Sequence, residues 1–427
     1  MPRHSRLLPH RIDSQRHRRR IARPAPVAGG VAVLLVFAAA CSSSGPSTNG
    51  AGSTAASGIS GSTAARDSGF AAAAKQALQD ATQGLVFSPT DTPSGPGDLQ
   101  PYGSWRGPTS APPPRKNALV EIIPCTMEAP ACATTAESTA AAAKALGWRS
   151  DIITSGAVNP EQAAQAFNVA LSRKPQAIVA IAVDAVLAPQ QIAAAEKAGI
   201  VTVEDAGDPQ PSEQVAYNAY VSYRQPLEWA LDGYAIIANS NGTANILAVD
   251  ITDNTELHEA YNEFKSVIAQ CSGCKLTTIS MTISQLSDPT ETQQLVGAAL
   301  AANPDADYFQ MTASEGLPPA IAAIREAGKQ DKLTVLLEDA DPAGLNAITQ
   351  GEANYDPGFS LGWLAYAGVD QVVRGLAKAP FLTTAQIGLG LHMFSTGTTP
   401  ASGNADDYSG YQDYAAHYEK IWGISGT

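Results

Sequence analysis

The chain has 427 residues and is 44% apolar, so it is too long for one ordinary domain and can build two hydrophobic cores. Its formal net charge is −13, but the first forty residues carry eight arginines and one carboxylate, which leaves 19 basic and 39 acidic residues in the remainder. A body this acidic lacks the clustered Lys and Arg that phosphate contacts need, and this argues against nucleic acid as a partner.

The N-terminus has the pattern of a targeting segment. A basic stretch at residues 16–23 precedes an apolar stretch at residues 27–40, which is shorter than the roughly 20 residues of a spanning helix. We therefore predict a signal peptide at residues 1–40. The sequence Ala38-Ala39-Ala40-Cys41 resembles the lipobox of bacterial lipoproteins, in which the cysteine is lipidated. An ordinary secretory signal is the alternative. Ser, Gly, Ala and Thr dominate residues 42–63, which predicts a flexible tether.

The four cysteines other than Cys41 form two close pairs in the sequence, Cys125 with Cys132 and Cys271 with Cys274. A zinc site would require all four together, although the pairs lie on separate units. A redox-active pair would require the Cys-x-x-Cys at the start of a helix, and here it follows one. Two structural disulfides are therefore the preferred interpretation, and they indicate an oxidising compartment.

Strands and helices alternate along most of the chain. The first run of elements is predicted as strands at residues 118–123, 149–154, 177–183 and 200–203, with helices at 136–146, from Asn159-Pro160 onward, and at 189–198. Before it, a helix is predicted at residues 70–84 and an extended Pro- and Gly-rich segment at 88–115. Such alternation builds parallel sheets with right-handed crossovers.

The same pattern recurs after a break near residue 220. The second run is predicted as strands at residues 245–249, 275–283, 308–311 and 333–338, with helices at 227–238, 256–269, 290–302, 318–327 and 342–349. A long helix at residues 361–376 is expected to return to the first lobe. Residues 381–427 are expected to be irregular, apart from a terminal helix at 411–422.

The carboxyl ends of the predicted strands carry acids and hydroxyls, and none of them carries Lys or Arg. Ligands bind at this edge in open α/β sheets. The candidate ligand contacts, together with the aromatic residue at the predicted crossing, are Met127, Glu128, Asp184, Asp205, Tyr223, Asp250, Asn254, Ser314, Asp339 and Asp356. Capping of the following helices is the alternative role for each Asp, Asn or Ser. The collective bias favours a neutral hydroxylated ligand or a cationic one.

Catalytic patterns are weak in this sequence. It contains no phosphate-binding loop, no GxGxxG after a strand and no GxSxG, and the histidines beyond the signal, His258, His392 and His417, are scattered. We therefore predict a protein that is not an enzyme and that requires no cofactor and no metal.

The order and spacing of several segments resemble the type I periplasmic binding proteins, in the ribose-binding-like branch that serves sugar ABC transporters. The resemblance covers about residues 116–379. It rests on the segments at residues 141–148, 174–183, 195–203, 264–276 and 320–328, together with Asp339 and Gly362.

The resemblance implies an α/β fold with two doubly wound parallel-sheet lobes joined by a multi-strand hinge. The N-terminal lobe would comprise residues 116–221 and 357–380, and the C-terminal lobe residues 222–356 and part of 381–427. Residues 41–115 would form the lipid-anchor tether and lead-in.

It also implies a monomer, lipid-anchored at the outer face of the cell membrane, that delivers a sugar or polyol to ABC transporter permease subunits. A ligand sensor and a secreted glycoside hydrolase are the alternatives. Asp184, Asp339 and Asp356 match family ligand-contact or hinge positions. Two positions depart from the family pattern, because its sugar-clamping arginine aligns near Ala260 and its Asn-Asp pair aligns with Ala313-Ser314.

Overall fold

The computed structural model describes residues 60–209, 214–411 and 413–424, with side chains from residue 68 onward. The predicted signal peptide, Cys41 and most of the predicted tether lie outside the described residues. No helix in the described part is both long enough and apolar enough to cross a bilayer.

Strands in the described residues fall into two large sheets and one small one. They are β1 (Val86–Phe87), β2 (Gln100–Pro101), β3 (Leu119–Pro124), β4 (Arg149–Ile152), β5 (Ala177–Ile181), β6 (Val201–Asp205), β7 (Ala219–Val221), β8 (Asn245–Ile251), β9 (Lys275–Met281), β10 (Tyr308–Gln310), β11 (Thr334–Leu336), β12 (Tyr355–Gly358) and β13 (His392–Ser395).

Helices follow most of the strands and cover both large sheets. They are α1 (Ser60–Gln83), α2 (Pro130–Ala145), α3 (Pro160–Ser172), α4 (Pro189–Lys197), α5 (Gln225–Asn239), α6 (Thr255–Ile268), α7 (Ile283–Leu286), α8 (Pro289–Ala302), α9 (Leu317–Glu326), α10 (Pro342–Gln350), α11 (Leu361–Ala377), α12 (Thr384–Ile387) and α13 (Tyr414–Trp422).

The first lobe is built on a five-stranded parallel sheet in the order β4-β3-β5-β6-β7. Its central strand β5 is apolar throughout and fully buried, as expected for a parallel strand covered by helices on both faces. The predicted start of α3 is confirmed, because Asn159 Oδ1 accepts a hydrogen bond from the Gln162 N–H at 3.0 Å. The three-residue strand β7 was not predicted, since so short a segment carries no periodic signal.

The second lobe is built on a six-stranded sheet in the order β13-β12-β11-β10-β8-β9. All its neighbouring strands are parallel except β12 and β13, which are antiparallel. These last two strands were not predicted. The Asp-Pro-Gly sequence of β12 favours a turn when it is considered alone, and its pairing with β11 on one side and β13 on the other makes it a strand.

Helix α11 returns the chain to the first lobe, where it packs against α2 and β6. The close approach depends on Gly368. A Cβ at this position would lie 2.6 Å from Asp205 Oδ2, so only glycine allows α11 to lie directly on the end of β6. The fold is therefore α/β with two parallel-sheet lobes and more than one crossing between them, as predicted.

The N-terminal segment is more structured than predicted. Helix α1 begins ten residues before the predicted start and packs against α5 of the second lobe. Strands β1 and β2 form a small antiparallel sheet, and Val86 makes a β-bridge with Leu391. The first described helix therefore starts at residue 60, within the stretch predicted as a tether.

The two terminal segments meet on α11. Trp105 stacks on His417 at 4.1 Å and on Trp363 at 5.0 Å, measured between ring centroids. Trp422 of α13 donates an indole N–H to Asp370 Oδ1 at 2.9 Å. The segment around Trp105 and the C-terminal helix α13 are thus both fixed to α11.

Candidate ligand-binding site

A cleft with a cavity of about 230 Å³ lies at the carboxyl ends of both large sheets. Its walls come from the two lobes and from the crossing that follows β7. The polar residues that line it include Thr126, Asp184, Tyr223, Gln225, Asn254, Glu256, Ser314, Glu315, Glu338, Asp339 and Asp341. A more open depression lies beside the end of α1, away from the strand ends. The cleft therefore lies where open α/β folds bind their ligands, at the carboxyl ends of the strands.

Strained backbone marks the strand ends that form the cleft. Four lining residues other than glycine have positive φ angles: Ala182 (φ 50°), Ala206 (φ 65°), Ala313 (φ 52°) and Asp339 (φ 72°). Each such residue costs on the order of 1 kcal/mol, and this strain persists only where surrounding structure holds it. Strain of this kind concentrates at functional sites, which supports the assignment of the cleft.

Both predicted cysteine pairs are disulfides in the structure. Cys125–Cys132 has an S–S distance of 2.08 Å and connects the loop after β3 to the first turn of α2, where both cysteines line the cleft. Cys271–Cys274 has an S–S distance of 2.10 Å and closes the turn between α6 and β9, outside the cleft. Only the first pair can affect the shape of the site directly.

Glu338 connects three segments of the cleft through hydrogen bonds, namely the end of β11, the loop after β10 and the start of α5. One carboxylate oxygen, Oε1, accepts hydrogen bonds from the Thr312 hydroxyl at 2.7 Å and from the Ala313 N–H at 2.9 Å. The other oxygen, Oε2, accepts from the Trp229 indole N–H and, at 3.5 Å, from the Gln225 amide. Burial raises the pKa of Glu338, and these donors oppose the rise. Sequence reasoning placed Glu338 at a strand end but did not select it, because its donors come from distant segments.

Tyr223 lies at the crossing and lines the cleft. Burial raises the pKa of its hydroxyl well above the usual value, and the nearby carboxylates of Asp339, Glu338 and Glu256 raise it further. The hydroxyl therefore stays neutral at physiological pH. A neutral phenol can both donate and accept a hydrogen bond, as recognition of a hydroxylated ligand requires.

Two of the cleft residues, Asn254 and Asp341, also cap helices, and capping was the alternative role considered for Asn254. Asn254 Oδ1 accepts from the Leu257 N–H at 2.9 Å. Ser314 donates to Asp341, which in turn accepts from the Gly344 N–H at 2.8 Å through its other oxygen. The capping bonds fix these side chains at the mouth of the cleft, so a structural role and a ligand contact are compatible.

Five of the ten predicted ligand contacts line the cleft, namely Asp184, Tyr223, Asn254, Ser314 and Asp339. Asp205 and Asp356 do not, because both are fully buried behind it. Asp205 lies beneath Gly368 of α11, and Asp356 accepts a hydrogen bond from the Ala340 N–H at 2.9 Å. These two carboxylates support the backbone that forms the cleft and do not face its cavity.

The other three predicted contacts also lie outside the lining. Asp250 is 2.7 Å from His258 Nδ1, a pairing within the second lobe that turns its carboxylate toward α6. Met127 packs partly against the core, and Glu128 is exposed on the loop after β3. The sequence places each at a strand end but does not show which way the following loop turns.

Two groups of acidic residues have carboxylate oxygens within 4.8 Å of one another. One consists of Asp184, Glu204 and Glu256, and the other of Glu228, Glu338 and Asp339. Both reach the cleft, since each includes residues that line it. Within the described residues, these are the clusters that could hold a cation.

The fold and site define a two-lobed α/β protein with a cleft between its lobes. A family model described as "Periplasmic binding protein domain" matches residues 120–379. The chain therefore belongs to the periplasmic binding protein family, and the predicted family membership is confirmed. No curated protein sequence matches the chain.

Solved structures share the fold at low sequence identity. The chain is similar to GanP, a glucose-galactose binding protein from Geobacillus stearothermophilus (TM-score 0.58, 16% identity, covering 67% of this chain and 100% of that one). It is also similar to an ABC transporter solute-binding protein from Burkholderia graminis in complex with D-arabinose (TM-score 0.58, 17% identity, covering 70% and 98%). A third similar structure is the XylFII–LytSN complex (TM-score 0.56, 16% identity, covering 66% and 98%).

Proposed function

We propose that this protein captures a small hydroxylated ligand, a sugar or polyol, between its two lobes and delivers it to the permease of an ABC transporter. It acts as an extracytoplasmic monomer and changes no covalent bond in the ligand. Family membership and the position of the cleft support this function, as do the sugars bound by two proteins of the same fold. The observation that carries it is the cleft itself, formed by the carboxyl ends of both sheets.

Capture works through closure of the lobes. The ligand contacts Asp184 from the first lobe and Asn254, Ser314 and Asp339 from the second, so it holds the two together. A ligand shifts the equilibrium toward the closed form only by its preference for that form. Changing the ratio of closed to open protein from 1:99 to 99:1 requires about 5.5 kcal/mol of such preference. Two charge-assisted hydrogen bonds of about 1.5–3 kcal/mol each, to Asp184 and Asp339, can supply it together with two neutral ones of about 0.5–1.5 kcal/mol each.

The test is a thermal-shift screen over monosaccharides and polyols, followed by calorimetric titration of each hit. A specific ligand raises the melting temperature by mass action. Asp184→Asn should weaken binding of that ligand by about 10-fold or more, because it removes a charged acceptor from the cleft. Asp250→Asn is the matched control, since Asp250 also follows a strand but does not line the cleft. Equal losses in the two variants would contradict this assignment of the site.

Attachment to the membrane is part of the proposal. The lipobox-like sequence before Cys41 supports a lipid anchor, and the Ser- and Gly-rich stretch that follows supports a tether. In the native host, Cys41→Ser should move the protein from the membrane fraction to the medium. Retention of the variant in the membrane fraction would contradict an anchor at this residue.

A sensor role is the second candidate. It is favoured by the XylFII–LytSN complex, in which a protein of this fold is assembled with a second protein. Purification of the anchored protein from its host membrane distinguishes the two functions. Ligand-dependent recovery of permease subunits supports transport, whereas recovery of a different receptor supports sensing.

A further inference from the structure

Three stretches of chain pass between the two lobes. They are residues 222–224, between β7 and α5; residues 359–360, between β12 and α11; and residues 378–390, between α11 and β13. Closure of a two-lobed protein rotates the lobes about such crossings, where a few residues absorb the change in backbone dihedral angles. Contacts that hold these crossings from outside therefore limit how far the lobes can rotate.

A segment that precedes the family match is anchored to both lobes. We call residues 84–115 the hinge strap. At its start, the Gly84 carbonyl accepts a hydrogen bond from Nδ1 of His392, on β13 of the second lobe, at 2.7 Å. Near its end, the Ser110 carbonyl accepts from the guanidinium of Arg374 at 2.7 Å, on the helix α11 that packs on the first lobe. The hinge strap therefore forms a fourth connection between the lobes.

Between these two anchors the hinge strap contacts each of the three crossings. At the first, the Arg224 guanidinium donates to three oxygen atoms of the strap. At the second, Trp105 stacks on Trp363, in the first turn of α11, with ring centroids 5.0 Å apart. At the third, the Tyr102 hydroxyl donates to the Gly388 carbonyl at 2.8 Å. Rotation of the lobes must therefore break these contacts or move the strap, which is fixed at both ends.

The contacts at the first and third crossings are shielded from water. Arg224 is 1% exposed and Tyr102 is 2% exposed. Water cannot readily replace a buried hydrogen bond, so loss of these bonds leaves buried polar groups unpaired. Arg224 and Gly388 also have positive φ angles, 62° and 69°. The strap thus fixes the backbone of the crossings at the residues whose dihedral angles have to change.

The lobes already touch each other beside the cleft. The Asp208 N–H, in the loop after β6 of the first lobe, donates to Oε1 of Glu256, on α6 of the second lobe, at 3.2 Å. None of the described strap residues lines the cleft. The strap therefore acts on the arrangement of the lobes and not on the ligand.

We propose that the hinge strap restricts the rotation of the lobes and holds the empty protein near the arrangement in which Asp208 contacts Glu256. A ligand then needs less preference for the closed form, because the closed form is already well populated. This inference goes beyond the proposed function, since it concerns the motion of the protein without a ligand.

Spin labels placed on the two lobes measure this motion. Val169→Cys on α3 and Gln294→Cys on α8 provide two exposed labelling sites, in a chain that also carries Cys41→Ser. The other four cysteines are held in disulfides and do not react with the label. Double electron–electron resonance then gives the distribution of distances between the labels. With the strap intact, this distribution should be narrow and have a single maximum.

Asp91→Ala combined with Tyr102→Phe removes strap contacts at the first and third crossings. The distribution should broaden and extend to distances longer by several ångströms, because the lobes gain freedom to rotate. Tyr102→Phe alone keeps the aromatic packing, so it should produce a smaller broadening even if the double variant fails to fold. Asp98→Ala is the matched control. Asp98 accepts from the Ser94 N–H at 2.7 Å within the strap, and its loss should leave the distribution unchanged.

Ile246→Val is a second control, because it loosens the buried core of the second lobe and should also leave the distribution unchanged. The inference is wrong if Tyr102→Phe and the double variant both keep the distribution of the intact strap. It is also wrong if the intact strap already gives a broad distribution, or if Ile246→Val broadens it as much as the double variant. All these measurements use the protein without ligand, so they do not depend on whether a sugar binds in the cleft.

Discussion

A buried ion pair connects the N-terminal segment to the crossing between the lobes. The Arg224 side chain is 1% exposed, and its backbone is left-handed (φ 62°) at the start of α5. Its guanidinium donates to Asp91 Oδ1 at 2.6 Å, to the Thr90 carbonyl at 3.0 Å and to the Ser88 carbonyl. Residues 88–91 precede the family match at residues 120–379, so this contact comes from a segment outside the matched region.

Asp91→Ala should lower the free energy of unfolding by about 2–3 kcal/mol. Removing one partner of a fully buried pair costs about 3–5 kcal/mol, and the 30% exposure of Asp91 reduces that cost through solvent screening. Asp91→Asn should cost roughly half as much, because the amide oxygen still accepts the hydrogen bond. Urea unfolding, followed by tryptophan fluorescence, measures both values.

Asp151→Ala is the control for this prediction. Asp151 is 61% exposed and 3.7 Å from Arg173, so its loss should cost no more than about 0.5 kcal/mol. A double-mutant cycle with Arg224→Met isolates the pair from other effects of each substitution. If Asp91→Ala costs no more than Asp151→Ala, the N-terminal segment does not stabilise the crossing as argued.

Three further predictions follow from buried groups. Burial lowers the pKa of His392 from 6.5 to about 4. The free energy of unfolding of the wild type, relative to that of His392→Phe, should therefore fall by about 3 kcal/mol as the pH drops from 6.5 to 4. If the free energies of the two proteins change in parallel with pH, this prediction is wrong. Gly368→Ala should cost about 2 kcal/mol in urea unfolding, because its Cβ would lie 2.6 Å from a buried carboxylate. Gly297→Ala should be stabilising, because its Cβ would make only an ordinary contact with Ala323 at 4.0 Å. A neutral Gly368→Ala would refute the close approach. Cys125→Ser/Cys132→Ser should weaken ligand affinity more than it lowers helicity measured by circular dichroism, and unchanged affinity would count against a role of the disulfide in the cleft.

The alternation of strands and helices could be predicted from the sequence because local signals define each element. Continuous apolar runs such as β5 indicate strands covered on both faces, and caps such as Asn159 mark where helices begin. What could not be predicted depends on distant contacts. Strand β13 is a strand because it pairs with β12 across 30 intervening residues or more, and β12, whose Asp-Pro-Gly sequence favours a turn, lies paired between β11 and β13.

The candidate site was only partly predictable for a related reason. The rule that ligands bind at strand ends selects the correct edge of each sheet, but it cannot show whether the next residue faces the cleft or the core. Asp339 and Asp356 both carry carboxylates near strands of the same lobe, yet only Asp339 lines the cavity. Its left-handed backbone turns the chain there, and the sequence gives no sign of that conformation at an aspartate.

Glu228 illustrates a further limit. It lies in the first turn of a helix, where an acidic residue is ordinarily explained by the helix dipole, so nothing in the sequence connects it with Asp339. The connection exists because Trp229 and Gln225 on the same helix bond to Glu338, which draws the start of α5 against the end of β11. The site therefore depends on tertiary contacts among residues more than 100 positions apart.

The cleft combines features that each oppose stability: alanines with positive φ, the close buried carboxylates of Glu228, Glu338 and Asp339, and a concentration of acidic residues in its lining. The terminal segments are placed where they can offset these costs. Arg224 is bonded by residues 88–91 at one crossing, and α11 is covered by Trp105 and Trp422 at another. These contacts stabilise the crossings without neutralising the acidic side chains of the cleft, so a complementary ligand can still gain free energy by binding there.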